Sequence, residues 1–291
     1  MFKKILILVG WTAIIAGGVL VYENRANFNF ASLENIIDST ISNLHLEKIA
    51  TDLAQKVSMP SPLRRLTGVL GNLTVSGTVN ETNKQRQLNG NLPPLSVNLK
   101  LTAAANAKID DMLKNQYFEH VSPSGRGPAE LVKDENYEYI LVGENLALGN
   151  FSNDADLVAA WMNSPGHRAN ILNSRYTEIG VAVRKGIFEG RTTWLAVQEF
   201  GRPLSSCPQI NADLKIQIDI NQRLIADLNS QITAKKAEID NYKPKRGPEY
   251  NEMIDEYNAL VAQYNTLAAA TKDMINTYNA EIKMFNACVA G

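Results

Sequence analysis

The sequence predicts an α+β domain held between an N-terminal membrane-spanning helix and a C-terminal antiparallel coiled-coil hairpin. Three observations predict it. An uncharged run from Ile5 to Tyr22 follows a pair of lysines; residues 79–206 pass from helical to strand-like apolar spacing; and beyond residue 207 apolar residues recur at alternating four- and three-residue steps to the end of the chain. With 291 residues and 45% hydrophobic composition, the chain can bury a core and hold two domains, or one domain with an extension. Lys and Arg number 29 against 30 Asp and Glu, so no clustered basic surface argues for a nucleic-acid partner, and none is expected.

The first element is "MFKKILILVGWTAIIAGGVLVYENR". The run from Ile5 to Tyr22 is long enough to cross a hydrocarbon core as a slightly short helix, and Lys3 and Lys4 hold its start on the cytoplasmic side. Residues 1–25 are therefore read as a single-pass anchor in the cell membrane, with everything after Glu23 extracytoplasmic. The small residues of "IIAGG" keep a cleaved signal, and hence secretion, as the rival, although no clear A-x-A site closes the run. Residues 26–78 are expected to form a membrane-proximal helix and a linker. Leu33, Ile36, Ile37, Ile41, Leu44, Ile49 and Leu53 recur at helical intervals, and "SMPSPL" and "GVLGNLTVSGT" then bring breakers, with room for a short strand. His45 in that helix reads as an ordinary packing or surface histidine.

The compact domain is placed at residues 79–206. A first helix is followed by a Gly-Pro turn and a second helix over about 98–116, capped by Asn98, with Leu101, Ala105, Ile109 and Met112 as its apolar stripe. Short helices are expected at "PAELVKDENY" and "NDADLVAAWMNS". The strands are "TEIGVAVRKG" and "TTWLAVQEFG", connected by "KGIFEGR" as a turn. Helices around an antiparallel sheet make a layered α+β fold, since neither element type can bury its apolar face alone.

The last region, 207–291, carries a seam. Leu214, Ile218, Asn221, Ile225, Leu228, Ile232, Lys235 and Ile239 mark one helix, and Tyr250, Met253, Tyr257, Leu260, Tyr264, Leu267, Thr271, Met274, Tyr278 and Phe285 mark another. Between them "NYKPKRGPEY" supplies Pro244, Gly247 and Pro248 as breakers. Two arms of similar length fold back on each other and bring Cys207, before the first, close to Cys288, near the end of the second. These are the only two cysteines, and an oxidising compartment permits a disulfide between them. The hairpin serves as a spacer or as a homo-oligomerisation element, and the tyrosines of its second arm read as seam packing.

The ordered set "YFEHVSPSG", "VGENLALG", "WMNSPGHRANILN", "YTEIGVAV" and "WLAVQEFG" resembles the CAP superfamily, the cysteine-rich secretory, antigen 5 and pathogenesis-related 1 group, and more closely its bacterial SCP-domain branch. The resemblance implies a three-layer α-β-α sandwich with a cleft lined by two histidines and two acids. His120 in "FEH" and His167 in "SPGH" match the histidines, and Glu144 in "GEN" matches the first acid. Where the second acid usually stands, three residues beyond Trp161, this chain has Ser164, so the tetrad is incomplete. Bacterial-branch proteins look similar in carrying "SPGH" at that turn.

The residues make a chemical case of their own. Two imidazoles and a carboxylate can bind zinc or another divalent metal if they converge, with water in an open position. Without metal, a His-Glu pair can orient an imidazole for proton transfer, and either histidine can instead lock a loop by bonding a backbone carbonyl. No other cofactor is implied: the chain has no P-loop, no G-x-G-x-x-G and no CxxC. Glu130, ten residues after His120, is a spare acid for the cleft. Ser164 is a secondary candidate, although no G-x-S-x-G elbow accompanies it. Asn145 and Asn170 are positioned to bond neighbouring backbone and fix the cleft loops. Trp161 and Trp194 read as core aromatics. Alternation sends Gln198 and Glu199 to opposite faces of the last strand, so only one of them is expected to point inward.

The leading functional reading is a membrane-anchored extracytoplasmic binding module whose polar His/Glu cleft takes a lipid, an envelope component or a protein partner. Catalysis is left open. The alternatives are a hydrolase, peptidase-like or acting on envelope material, that uses His120, Glu144 and His167, and a structural envelope protein that acts through its hairpin.

Overall fold

The computed structural model describes residues 56–291. The expected anchor, the membrane-proximal helix and His45 lie outside the described residues. Among the described helices none is long and apolar enough to cross a membrane. The described chain divides into two compact units, residues 56–209 with 285–291, and residues 210–284.

In chain order the first unit contains strands β1 (Lys56–Ser58) and β2 (Leu63–Arg65), helix α1 (Val75–Leu88), strand β3 (Ser96–Val97), helices α2 (Leu99–Asn115) and α3 (Pro128–Asp134), strand β4 (Tyr139–Gly149), helices α4 (Asp154–Met162) and α5 (Pro165–Ile171), and strands β5 (Glu178–Phe188) and β6 (Arg191–Pro203). The sheet order is β1-β4-β6-β5-β3, with β2 following β1 along the same edge of β4. β6 pairs antiparallel with both β4 and β5, while β1, β2 and β3 pair parallel with their neighbours.

Helices cover both faces. On one, Ala147, Ile179, Val181, Ala196 and Phe200 pack with Val79 of α1, Leu157 and Trp161 of α4 and Ile171 of α5. On the other, Leu146, Leu148, Ala182, Leu195 and Val197 pack with Ala105, Ile109 and Met112 of α2, and Tyr139 and Val142 meet Leu101 and Val132 of α2 and α3. This mixed α+β arrangement accounts for two differences from the sequence reading. Every residue of β4 is buried, so "YILVGENLALG" shows no polar alternation to announce a strand. Gln198 and Glu199 do point to opposite faces, yet both are fully buried, because neither face is open to water.

Local chemistry sets the element ends. Asn98 caps α2, its Oδ1 accepting from the amides of Lys100 at 2.9 Å and Leu101 at 3.3 Å. Most of "KGIFEGR" is strand rather than turn: only Glu189 and Gly190 form the corner, both at positive φ (50° and 74°), as a two-residue hairpin that follows sheet twist requires. Pro165 does more than end α4. It opens α5 at a position where its missing N–H costs nothing. Gly180 of β5 lies under the Leu101–Thr102 backbone of α2, where a Cβ would overlap main-chain atoms. The stretch read as linker is in part sheet, since β1 and β2 lie before residue 79 and α1 begins at Val75.

In the second unit, α6 (Ala212–Asn241) and α7 (Pro248–Ala290, whose last turns belong to the first unit) pack antiparallel. Ile225, Ile232 and Ile239 bury against Tyr250, Tyr257 and Tyr264, and Ile218 against Ile275, Tyr278 and Ile282. The polar seam positions find partners: Asn221 Nδ2 meets Met274 Sδ at 3.6 Å, and Lys235 pairs with Glu256 at 2.8 Å. Cys207 and Cys288 are disulfide-bonded, with Cα atoms 5.7 Å apart.

Candidate functional site

The candidate site is built on β4 and β6. Glu144 and Glu199 are direct partners across the ladder and share a face. Both are fully buried, and apart from Glu144 Oε1 none of their carboxyl oxygens receives a donor. Two facing carboxylates without donors repel, so the pair is satisfied when one carries a proton and offers it to the other. Burial first, then the charge and hydrogen bond of Glu144, hold the Glu199 carboxyl well above the usual carboxylate range, with Lys108 pulling the other way. Glu199 is therefore the proton holder.

Lys108 of α2 sits beside this pair and is fully buried. Its Nζ donates to the His120 carbonyl at 2.5 Å and to Tyr117 Oη at 3.3 Å. Burial pushes its ammonium down from the ordinary 10.5, and the charges of Glu144 and Glu199 oppose that shift. A buried cation and a pair of glutamates sharing one proton balance each other.

His120 is carried by the loop between α2 and α3. Its Nδ1 lies 2.5 Å from Glu144 Oε1 and its Nε2 2.5 Å from the carbonyl oxygen of Pro60. A carbonyl can only accept, so Nε2 holds a proton and donates it. The Pro60 contact belongs to the segment between β1 and β2, which runs past the imidazole. Pro60 also meets the backbone of α5: a Cβ at Gly166 would lie 2.6 Å from Pro60 Cβ.

His167 is buried at the start of α5. Its Nδ1 is 2.7 Å from Ser164 Oγ, and its Nε2 has no hydrogen-bond partner. Burial, and secondarily the nearby charge of His120, bring its pKa down from 6.5 to about 4, against a weaker opposing pull from the Leu146 carbonyl. The ring is neutral across the physiological range. On the opposite sheet face an amide chain fixes the strands to α5. Asn145 Nδ2 donates to the His167 carbonyl at 3.2 Å and to Gln198 Oε1 at 3.1 Å. Asn170 Nδ2 donates to the Glu144 carbonyl at 3.3 Å and to Asn145 Oδ1 at 3.0 Å, and Gln198 Nε2 reaches Thr82 at 2.7 Å.

These donors do not fit a divalent metal. Both nitrogens of His120 are engaged, and among the described residues no group of three or more His, Cys, Asp and Glu side chains is arranged to hold an ion. Glu130 does not reach the site either. It is exposed, and its carboxylate accepts from the Gly127 amide at 2.8 Å, capping α3. A surface cavity of about 350 Å³ lined by Asp111, Tyr117, Arg126 and Asp134, among others, contains none of His120, Glu144 and His167.

Residues 79–199 match the model of the CAP, cysteine-rich secretory protein family. The Bacillus subtilis protein YkwD is 42% identical over 113 residues, 39% of this chain and 42% of YkwD. Residues 79–199 form a CAP domain. The Bacillus match places it in the bacterial branch of that superfamily. The Bacillus subtilis membrane protein YlbC is 38% identical over 74 residues, 25% of this chain and 21% of YlbC. This chain thus spans less than half the length of either curated relative. A crystal structure of an extracellular SCP-domain protein from Bacillus anthracis str. Ames aligns over 44% of this chain and 41% of that one, at 28% identity and a TM-score of 0.37. An outer surface protein from Borrelia burgdorferi aligns over 43% of this chain and 89% of its own, at 23% identity and a TM-score of 0.36.

The CAP domain gathers residues that sequence reasoning treated unequally. His120 and Glu144 meet directly, and His167 stands close enough for the charge of His120 to help hold it neutral. Ser164 orients His167 rather than replacing an acid, and Asn145 secures the loop behind it. The second carboxyl of the site is Glu199, reached through strand register. Lys108 also joins the site, and its spacing from Leu101, Ala104, Ala105 and Met112 on the buried stripe of α2 is the signal that marks it in the sequence.

Proposed function

We propose that this protein is a membrane-anchored, extracytoplasmic binding module whose CAP domain captures its ligand at the His120–Glu144 pair. The observation that carries this reading is the state of His120. Glu144 holds one ring nitrogen, and the other presents its N–H to a backbone carbonyl, so the imidazole acts as a fixed hydrogen-bond donor for a carbonyl oxygen. The Lys108 ammonium offsets the negative charge left on Glu144 beneath it, Glu199 is held protonated, and a neutral His167 completes the wall. Export is supported by the lysine-flanked Ile5–Tyr22 run, by the Cys207–Cys288 bond, which an oxidising compartment favours, and by the membrane-protein name of YlbC. The α6–α7 hairpin, read as a coiled coil, spaces the domain from the surface or pairs it with a second copy.

The test uses the full chain in detergent micelles with isolated cell-envelope fragments. A binding module co-sediments saturably, loses that retention in His120→Ala, and liberates no amino groups or reducing ends. Turnover that appears with the wild type and vanishes in His120→Ala would replace the binding reading with the hydrolase.

A further inference from the structure

The segment over His120 is itself an extended peptide. β1 pairs with β4 from Lys56↔Leu141 to Ser58↔Gly143, and β2 resumes the same parallel ladder from Leu63↔Ala147 to Arg65↔Gly149. Between these two short ladders, Met59, Pro60, Ser61 and Pro62 stand against only Glu144, Asn145 and Leu146. The strap has one residue too many there and leaves the strand edge, as a bulge does. Pro60 and Pro62 have no amide hydrogen, so they cannot continue the ladder in any case. At this interruption the Pro60 carbonyl takes the His120 N–H, and the Pro60 ring fills the space that Gly166 leaves by lacking a Cβ.

The two ends of the strap are held unequally. At the β2 end, Arg65 makes a bidentate pair with Asp156 (2.9 and 2.5 Å), donates twice to the Asn150 carbonyl, and lies over the Phe151 ring at 4.4 Å. At the β1 end the attachments are the three-residue ladder, the carbonyl on His120 and the approach of Ser58 to the Tyr176 hydroxyl, with no charged pair among them. The strap also precedes residue 79, where the CAP family match begins, so it is an addition to the matched segment.

We infer that residues 56–62 are a resident occupant of a peptide-binding site: the β4 edge, the His120 N–H and the Gly166 seat together receive an extended, proline-containing peptide segment, and the strap yields its place to one. This deepens the binding reading above and rests on it. β4 offers main-chain groups to an added strand, His120 reads a carbonyl, and Gly166 selects a proline-sized group two residues beyond the ladder. Because the strap competes, affinity for an outside peptide is set by the fraction of molecules with the strap released.

The experiment uses the full chain in micelles and a fluorescein-labelled peptide of the strap sequence Lys-Val-Ser-Met-Pro-Ser-Pro-Leu, followed by anisotropy, with hydrogen exchange of residues 56–65 read in parallel. Arg65→Ala cuts the clamp and is expected to raise apparent affinity at least tenfold while speeding exchange in the strap and sparing β4. Adding His120→Ala is expected to abolish binding. Gly166→Val is a second control. It expels Pro60, so strap exchange rises, but it also fills the seat, so the peptide does not bind. Intrinsic tryptophan fluorescence checks that each variant is folded. No peptide binding by folded Arg65→Ala, or binding unaffected by His120→Ala and Gly166→Val, overturns the inference. If Arg65→Ala binds no peptide while retention on envelope fragments still requires His120, the peptide class has failed and the binding module stands.

Discussion

His167 makes the site measurable through stability. The ring is buried and neutral, with its pKa brought from 6.5 to about 4, chiefly by desolvation. Below pH 6.5 the unfolded chain takes up a proton that the folded chain refuses until about pH 4, so the stability contributed by neutral burial is present above pH 6.5 and lost as pH falls through that window. At about 1.4 kcal/mol per pH unit the interval amounts to about 3 kcal/mol. His167→Gln keeps a polar side chain but cannot titrate. Urea unfolding of the full chain in micelles, followed by tryptophan fluorescence from pH 7.5 to pH 4, should show the wild type losing about 3 kcal/mol more than His167→Gln. The comparison with the variant cancels the other carboxylates that titrate over the same range. Parallel curves for the two proteins would mean that His167 charges alike in both states, and the dry, neutral wall would be wrong.

Three further expectations follow from the same structure. Glu199 keeps its proton when folded, so between pH 4.5 and its raised value stability falls as pH rises; Glu199→Gln, which mimics the protonated form, should flatten that slope in the same unfolding series. The Cys207–Cys288 bond closes a separation of 81 residues, worth about 4.5 kcal/mol by loop entropy, and thiol titration of the unreduced exported protein should find no free thiol, with the urea midpoint dropping on reduction. Ile232, buried in the hairpin seam, should cost about 2–4 kcal/mol when changed to Ala, read as an earlier thermal loss of helicity, whereas exposed Leu224 changed to Ala should cost little.

How much was legible in the sequence follows from what each signal depends on. Periodicity found α2 and its Asn98 cap, the hairpin seam and the strands β5 and β6, where one property repeats at a fixed spacing. It missed β4, which is buried on both faces and so has no period to show. Motif order found His120, Glu144 and His167. It did not find Glu199 or Lys108, which join the site through strand register and through the buried stripe of α2. Glu130 looked available by its distance in sequence, but its carboxylate is spent on a helix cap. "SMPSPL" read as linker because prolines break patterns, and the same prolines are what let the strap bulge over His120. Residue types alone left a bound metal open, and among the described residues no three His, Cys, Asp or Glu side chains are grouped to hold one.

The state of the His120 ring is the most direct test of the whole scheme. The chain has only three histidines, so nitrogen-15 labelling of histidine in the full chain gives a spectrum that His120→Ala can assign. Donation to the Pro60 carbonyl predicts a protonated Nε2 near neutral pH, with a ring proton that exchanges slowly in the wild type and quickly once Arg65→Ala releases the strap. An unprotonated Nε2, or a ring proton that exchanges at the solvent rate in the wild type, would contradict both the carbonyl receptor and the peptide that occupies it.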